Sequence, residues 1–254
     1  MDGENKPGIN LPARVTVTLR AGALIALANV ICAALIIFAY LQVHAPQKSI
    51  SVVGYAQKDI ASDLIIWSAT ITGDNASQVQ AYTQLQAGMN ATLAYLHSHG
   101  ISDEKIQISS IDTTANFKRD AHGNQTDQIS SWTLSQTITV TSQDVQKVAD
   151  VSRQITDLIK SGVQITSNDP QFIYTKLADL KLVMLAMATA DARARANQIA
   201  SNSGGALGRI IDANMGVFQV NPLYSTDVSS EGNNDTTSYQ KTIMAVVHAD
   251  FSLQ

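Results

Sequence analysis

Cysteine is almost absent, with Cys32 the single one among 254 residues. No intramolecular disulfide can form, and a metal shell built from several thiolates is excluded. Charge is sparse at 15% of residues, and the formal net charge is −4. No cluster of Lys and Arg of the kind that neutralises phosphates occurs, so nucleic acid is not expected as a partner. The common catalytic signatures are missing as well. There is no G-x-S-x-G nucleophile elbow. Gly204-Gly205 with Gly208 lacks the G-x-G-x-x-G spacing and follows a helix-like segment where that fingerprint must follow a strand, so it reads as a helix stop. No catalytic, cofactor-binding or metal residue is assigned, no cofactor is expected, and the chain does not read as an enzyme.

One absence is local and more informative. Between Arg20 and Lys48 the sequence has no Asp, Glu, Lys or Arg. Its middle, Ala21 to Val43, is apolar apart from Asn29 and Gln42, and as a helix it would span roughly 34 Å against a hydrocarbon core of about 30 Å. Lys6, Arg14 and Arg20 precede the run, and cationic flanks favour the cytoplasmic side. The expected organisation is a cytoplasmic arm at 1–20, a transmembrane helix at 21–43 in contact with inner-membrane lipid, a linker at 44–48 and an extracytoplasmic domain at 49–254. The rival reading is a cleaved secretory signal, because Val43-His44-Ala45 offers a peptidase tolerable residues. Pro46 directly after the cut and the length of the run both count against cleavage. Cys32, inside the run, reads as an apolar filler, and residues 1–12 read as disordered.

Beyond the run the apolar period switches between two and 3.6. Trp132, Leu134, Gln136, Ile138 and Val140 alternate with a row of hydroxyls, Ser131, Thr133, Ser135, Thr137, Thr139 and Thr141. Ile243 to Leu253 and Ile65 to Ile71 alternate in the same way. These are half-buried, antiparallel-type strands. Three helices interrupt them. The first carries Val79, Tyr82, Gln86, Met89, Leu93 and Leu96 on one face and stops at His99-Gly100. The second spans about 143–161 with Arg153 and Asp157 paired four apart, and the third spans about 176–202 with Asp191 facing Arg195. The polar stretches 117–128 and 221–238 read as long hairpin tips. The order of elements predicts an α+β fold, a largely antiparallel sheet with packed helices, behind one N-terminal transmembrane helix.

The segments SISVVGYAQKDIASDLIIWSATITG, YLHSHGISDEKIQISSI and LKLVMLAMATADARARANQIASNSGGALGRIIDANMG together resemble the SIMPL family, also known as the domain of unknown function 541 family. The resemblance covers about 48–254. Its most telling part is the helix with Ala190, Ala192, Ala194 and Ala196, followed by the glycine break and Leu207-Gly208. It implies an α+β extracytoplasmic domain of the bacterial envelope, likeness to periplasmic and outer-membrane-antigen proteins, ring-like or higher assembly in some members, and a loose tie to stress protection. It brings no agreed enzymatic activity. A homo-oligomer is therefore expected, with an envelope protein as a further possible partner. A small-ligand-binding or hydrolytic periplasmic protein, its site assembled from distant residues, is the alternative.

The remaining chemical groups have plain readings. His97 and His99 sit two apart at a helix end and point away from each other, and His122 and His248 read as surface histidines. Asp59 with Asp63, and Asp227 with Glu231 and Asp235, lack the ligand spacing of a calcium loop. Asn75, Asn90, Asn124 and Asn234 fit the glycosylation pattern, which a bacterial setting makes idle. Arg195 reads as a structural partner of Asp191 rather than as part of an anion site with Arg193.

Overall fold

The computed structural model describes residues 13–43 and 48–253. Residues 1–12 of the expected arm, read as disordered, and most of the linker, with His44, Ala45 and Pro46 of the cleavage reading, lie outside the described residues. The chain divides into an N-terminal helical unit and a folded body that begins at Ile50. The helix, α1 (Ala13–Val43), begins earlier than the apolar run itself. Its stretch Leu24–Leu41 has a mean hydropathy of 2.6 and is long and apolar enough to cross a membrane.

In chain order the body contains β1 (Ser49–Ala61), β2 (Leu64–Asn75), α2 (Gln78–Ser98), β3 (Ile106–Ile108), β4 (Asp112–Arg119) and β5 (Gln125–Ser142). It continues with α3 (Val145–Gln154), β6 (Gln164–Ser167), β7 (Gln171–Ile173), α4 (Leu177–Asn202), β8 (Leu207–Met215), β9 (Gln219–Pro222), β10 (Asn233–Asn234) and β11 (Gln240–Leu253). Two sheets result, which together with the helices make the α+β class. In the first the order is β1-β11-β9-β10, with β8 also on β11. In the second it is β3-β5-β2-β6, with β4 on β5 and β7 on β2. The described ladders are antiparallel, apart from a two-residue parallel contact between β9 and β10. Ser62 and Asp63 carry the chain from one sheet to the other, their N–H groups donating to Tyr239 O at 2.9 Å and Ile173 O at 3.0 Å.

Alternation decides the core of the second sheet. Ile65, Trp67, Ala69 and Ile71 on one side of β2, and Leu134, Ile138 and Val140 on the same side of β5, are buried with residues of α2 and α3. Trp67 keeps its polar edge satisfied: Nε1 donates to Ser167 Oγ at 2.9 Å, and that hydroxyl donates to Ser152 O at 2.8 Å. Ser167→Ala leaves a buried indole N–H without an acceptor. The expected loss is about 1–3 kcal/mol of stability, read as a lowered urea midpoint in tryptophan fluorescence.

Close approach governs both helix–sheet contacts. A Cβ on Gly73 would lie 2.2 Å from Ala81 O of α2, and one on Gly54 would lie 2.1 Å from Ala188 O of α4. On α4 the buried residues are Leu180, Met184, Ala188, Ala192, Ala196 and Ala200, a strict four-residue row. Four alanines in succession bring the helix backbone onto β1. Ala192 and Ala196 of the expected alanines are in that row, while Ala190 and Ala194 are not.

Three expectations change here. The buried residues of α2 are Ala81, Leu85, Gly88, Met89, Thr92 and Leu96, whereas Val79 is 74% exposed and Tyr82 48%. Contact through Gly73 brings Ala81 to the sheet, so Val79 and Tyr82 turn outward while Met89 and Leu96 of the expected face stay buried. The second helix is α-helical only to Gln154 and continues as a 3-10 turn from Ile155 to Ser161. That change of pitch removes the four-residue pairing: Arg153 bonds Asp150, and Asp157 bonds Lys160 at 2.6 Å. Finally, most of 117–128 is strand. Asp120 Oδ1 accepts from the N–H groups of His122 and Asn124, both at 2.9 Å, which closes a tight turn and leaves only 120–124 outside the ladder.

Candidate interaction surfaces and a buried lysine

The hydroxyl row seen in the sequence becomes one face of the second sheet. Ser68 pairs with Thr139, Thr70 with Thr137, and Thr72 with Ser135 across β2 and β5. On the other side of β2, Thr70 pairs with Thr166 of β6. Thr70 Oγ1 and Thr137 Oγ1 are 3.2 Å apart. The opposite side of these strands carries the buried core, so this face is polar, uncharged in its centre and partly open to solvent.

Among the described residues, β8 and β4 are edge strands exposed along most of their length. β8 is exposed along Arg209–Met215, with Ile210, Ile211 and Met215 between 44% and 56% exposed. β4 is exposed at both ends and half-buried only at Ala115 and Asn116. Beyond β2 and β3 it forms a two-stranded ribbon with β5, where Phe117 lies opposite Ile129, at 40% and 42% exposure. Unpaired edges of this length are templates for further strand pairing. β1 is treated differently: the Tyr55 N–H donates to Asp191 Oδ2 at 2.8 Å, and the same oxygen accepts from Arg195 Nε at 2.7 Å. The Tyr55 N–H and then Arg195 hold the Asp191 carboxyl below its ordinary range, against a small opposing effect of burial.

Lys241 is a site that patterning missed. It is 2% exposed, and its Nζ donates to Phe172 O at 2.6 Å and to Asp235 O. Phe172 belongs to β7 of the second sheet, and Asp235 follows β10 of the first. The Phe172 N–H in turn donates to Thr236 O at 2.7 Å. The ammonium therefore ties the two sheets together through backbone carbonyls, at the wall of a cavity of ≈ 150 Å³ that Phe172, Leu177 and Val220 also line. Burial pushes its pKa down, partly countered by the Asp235 charge. For Asp235 burial acts upward, but hydrogen bonds from Thr237 and Ser238, with Lys241 nearby, bring it below the usual carboxylate range. The only advance signal was a lysine two residues ahead of the alternating run Ile243 to Leu253.

A model of the SIMPL family, described as a protein of unknown function (DUF541), matches residues 50–251. The chain belongs to the SIMPL family. No curated protein matches it.

The SIMPL body places the other sequence candidates apart. His97 Nε2 meets Asp103 Oδ1 at 2.7 Å, and His99 lies against the Tyr95 ring with centroids 4.2 Å apart, so both finish the end of α2. Asp59 accepts from Thr242 Oγ1 at 2.7 Å, while Asp63 accepts from the N–H and hydroxyl of Thr175 at 2.7 and 2.8 Å. Asp227 and Asp235 each serve their own turn. Among the described residues no three His, Cys, Asp or Glu come together as a metal group. Arg195 pairs with Asp191 as expected.

Proposed function

We propose that this SIMPL protein is a single-pass inner-membrane protein whose body lies in the periplasm of a bacterial envelope, and that it acts without catalysis, by self-assembly or by binding an envelope partner. The open strands β4 and β8 carry this reading. They offer backbone hydrogen-bonding groups and exposed apolar side chains, the features through which sheets recruit further strands. The apolar helix supports anchoring, and the cationic residues Lys6, Arg14 and Arg20 ahead of its apolar stretch support an N-terminus held in the cytoplasm. Anchoring in one plane raises the local concentration of copies and so favours weak sheet contacts. A role in envelope stress protection is consistent with the family resemblance.

Light scattering of the full chain in detergent tests the assembly. A defined particle larger than one copy plus its micelle is expected, and a strictly monomeric particle at high concentration overturns the reading. Protease added outside intact cells with a permeabilised outer membrane tests the orientation: the body should be digested while a tag on the N-terminus stays protected.

A further inference from the structure

We propose that β4 is a homotypic contact, pairing antiparallel with β4 of a second copy about a two-fold axis through Ala115. This rests on the self-assembly reading and gives it a residue-level interface.

Symmetry restricts the possibilities. In an antiparallel pair, residues directly opposite share a face. A two-fold axis relating identical strands must be perpendicular to the sheet, so it can pair only positions of like parity, and one residue meets its own copy on the axis. With Ala115 on the axis, Thr114 lies opposite Asn116, Thr113 opposite Phe117, and Asp112 opposite Lys118 of the other copy. The last pairing occurs twice, once on each side of the axis, and joins opposite charges. Shifting the axis to Asn116 would oppose Asp112 to Asp120, and shifting it to Thr114 would leave Lys118 facing Ser110. Of these three neighbouring registers, only the one centred on Ala115 matches charge.

The strand is free to make this contact. Asp112, Lys118 and Arg119 are exposed, and among the described residues Asp112 and Lys118 have no ion-pair partner within the chain. Among the described residues no strand other than β5 pairs with β4. The centre, Thr113 to Phe117, has no lysine or proline of the kind that guards edges against pairing, and the register shifts between Asn116 and Phe117 and between Phe117 and Arg119 place their extra residues on β5, so that β4 itself keeps one residue per position. From Asn116 onward β4 and β5 form a two-stranded ribbon, since β2 leaves β5 at Trp132, and such a ribbon gains from a third strand. Asn116, whose Nδ2 donates to Ser131 Oγ at 3.0 Å and Thr133 Oγ1 at 2.7 Å, shows that even-numbered residues of β4 share the hydroxyl face. The Asp112–Lys118 pairs would therefore continue that face from one copy to the next.

The test uses the full chain in membranes with Cys32→Ser, so that a single introduced cysteine reports. Opposed Cα atoms in such a pair lie about 4.5–5.5 Å apart, within the range a disulfide needs. Ala115→Cys should cross-link to a dimer under mild oxidation, while Thr113→Cys, about 13 Å from its own copy in this register, should not. Asp112→Lys and Lys118→Asp should each lower Ala115→Cys cross-linking about tenfold, and combining them should restore it. An unchanged circular-dichroism melting curve checks that each variant is folded. If Ala115→Cys fails to cross-link, or the combined reversal fails to rescue, while light scattering still reports assembly, β4 is not the interface and self-assembly stands by other surfaces. A monomer in light scattering overturns both.

Discussion

Gly54→Val should abolish the native fold at physiological temperature. The first added carbon alone would sit 2.1 Å from Ala188 O, 2.6 Å from Ala192 N and 2.7 Å from Ala192 Cβ. These neighbours are helix backbone and a methyl group, none of which can rotate away. Relief requires moving α4 off β1, which reopens the row of Ala188, Ala192, Ala196 and Ala200, all 0% exposed. Overpacking of a mobile side chain costs about 1–3 kcal/mol. Backbone contact at this distance exceeds that range, and domains have only about 5–15 kcal/mol in total. Urea denaturation followed by circular dichroism is the measurement. A midpoint within 0.5 M of wild type, roughly 1 kcal/mol at the usual slope, would show that α4 does not bear on Gly54.

Lys241→Ala should be the second largest loss. Truncation leaves a cavity, and Phe172 O and Asp235 O lose a charged donor. Leaving a buried carbonyl without its donor costs about 1–3 kcal/mol, and the cavity left by truncation adds to that. Lys241→Met keeps the volume and removes the desolvated charge, so it should fall well short of that cost. The two variants also separate by pH. Lys241 has its pKa lowered in the folded state, whereas an unfolded lysine titrates near 10.4. Between those values the unfolded chain binds the extra proton, so stability attributable to this residue rises as pH climbs from the folded value to about 10.4. Below the folded value the penalty is fully present and flat. Wild type should therefore gain on Lys241→Met as pH increases through that window, and parallel pH profiles for the two proteins would show that the amine is not desolvated.

The strands were legible because alternation is a strong signal: Ile65, Trp67, Ala69 and Ile71 are buried as the period of two requires. Helix existence was equally clear, but helix orientation was not. A sequence reader assigns Val79 and Tyr82 to the core by size, while the fold turns α2 so that Ala81 and Gly88 can meet the sheet. That choice depends on Gly73, in another element. The turn at Asp120 was hidden for a similar reason, since a single carboxylate gathers two N–H groups and allows polar residues on both sides to remain in a ladder. Lys241 was missed because its acceptors are backbone carbonyls, which leave no mark in the residue pattern.

The neighbour of β1 in the first sheet is β11, so a strand ending at Ala61 waits for one beginning at Gln240. The second sheet, by contrast, uses only strands between Leu64 and Ile173. Closing so long a loop is slow relative to forming nearer contacts. During synthesis the second sheet and its helices can complete first, and β1 stays single until β11 has been made. A messenger cut short before Gln240 would thus yield half of a sound body joined to a strand with nothing to hold, which is material for quality-control proteolysis.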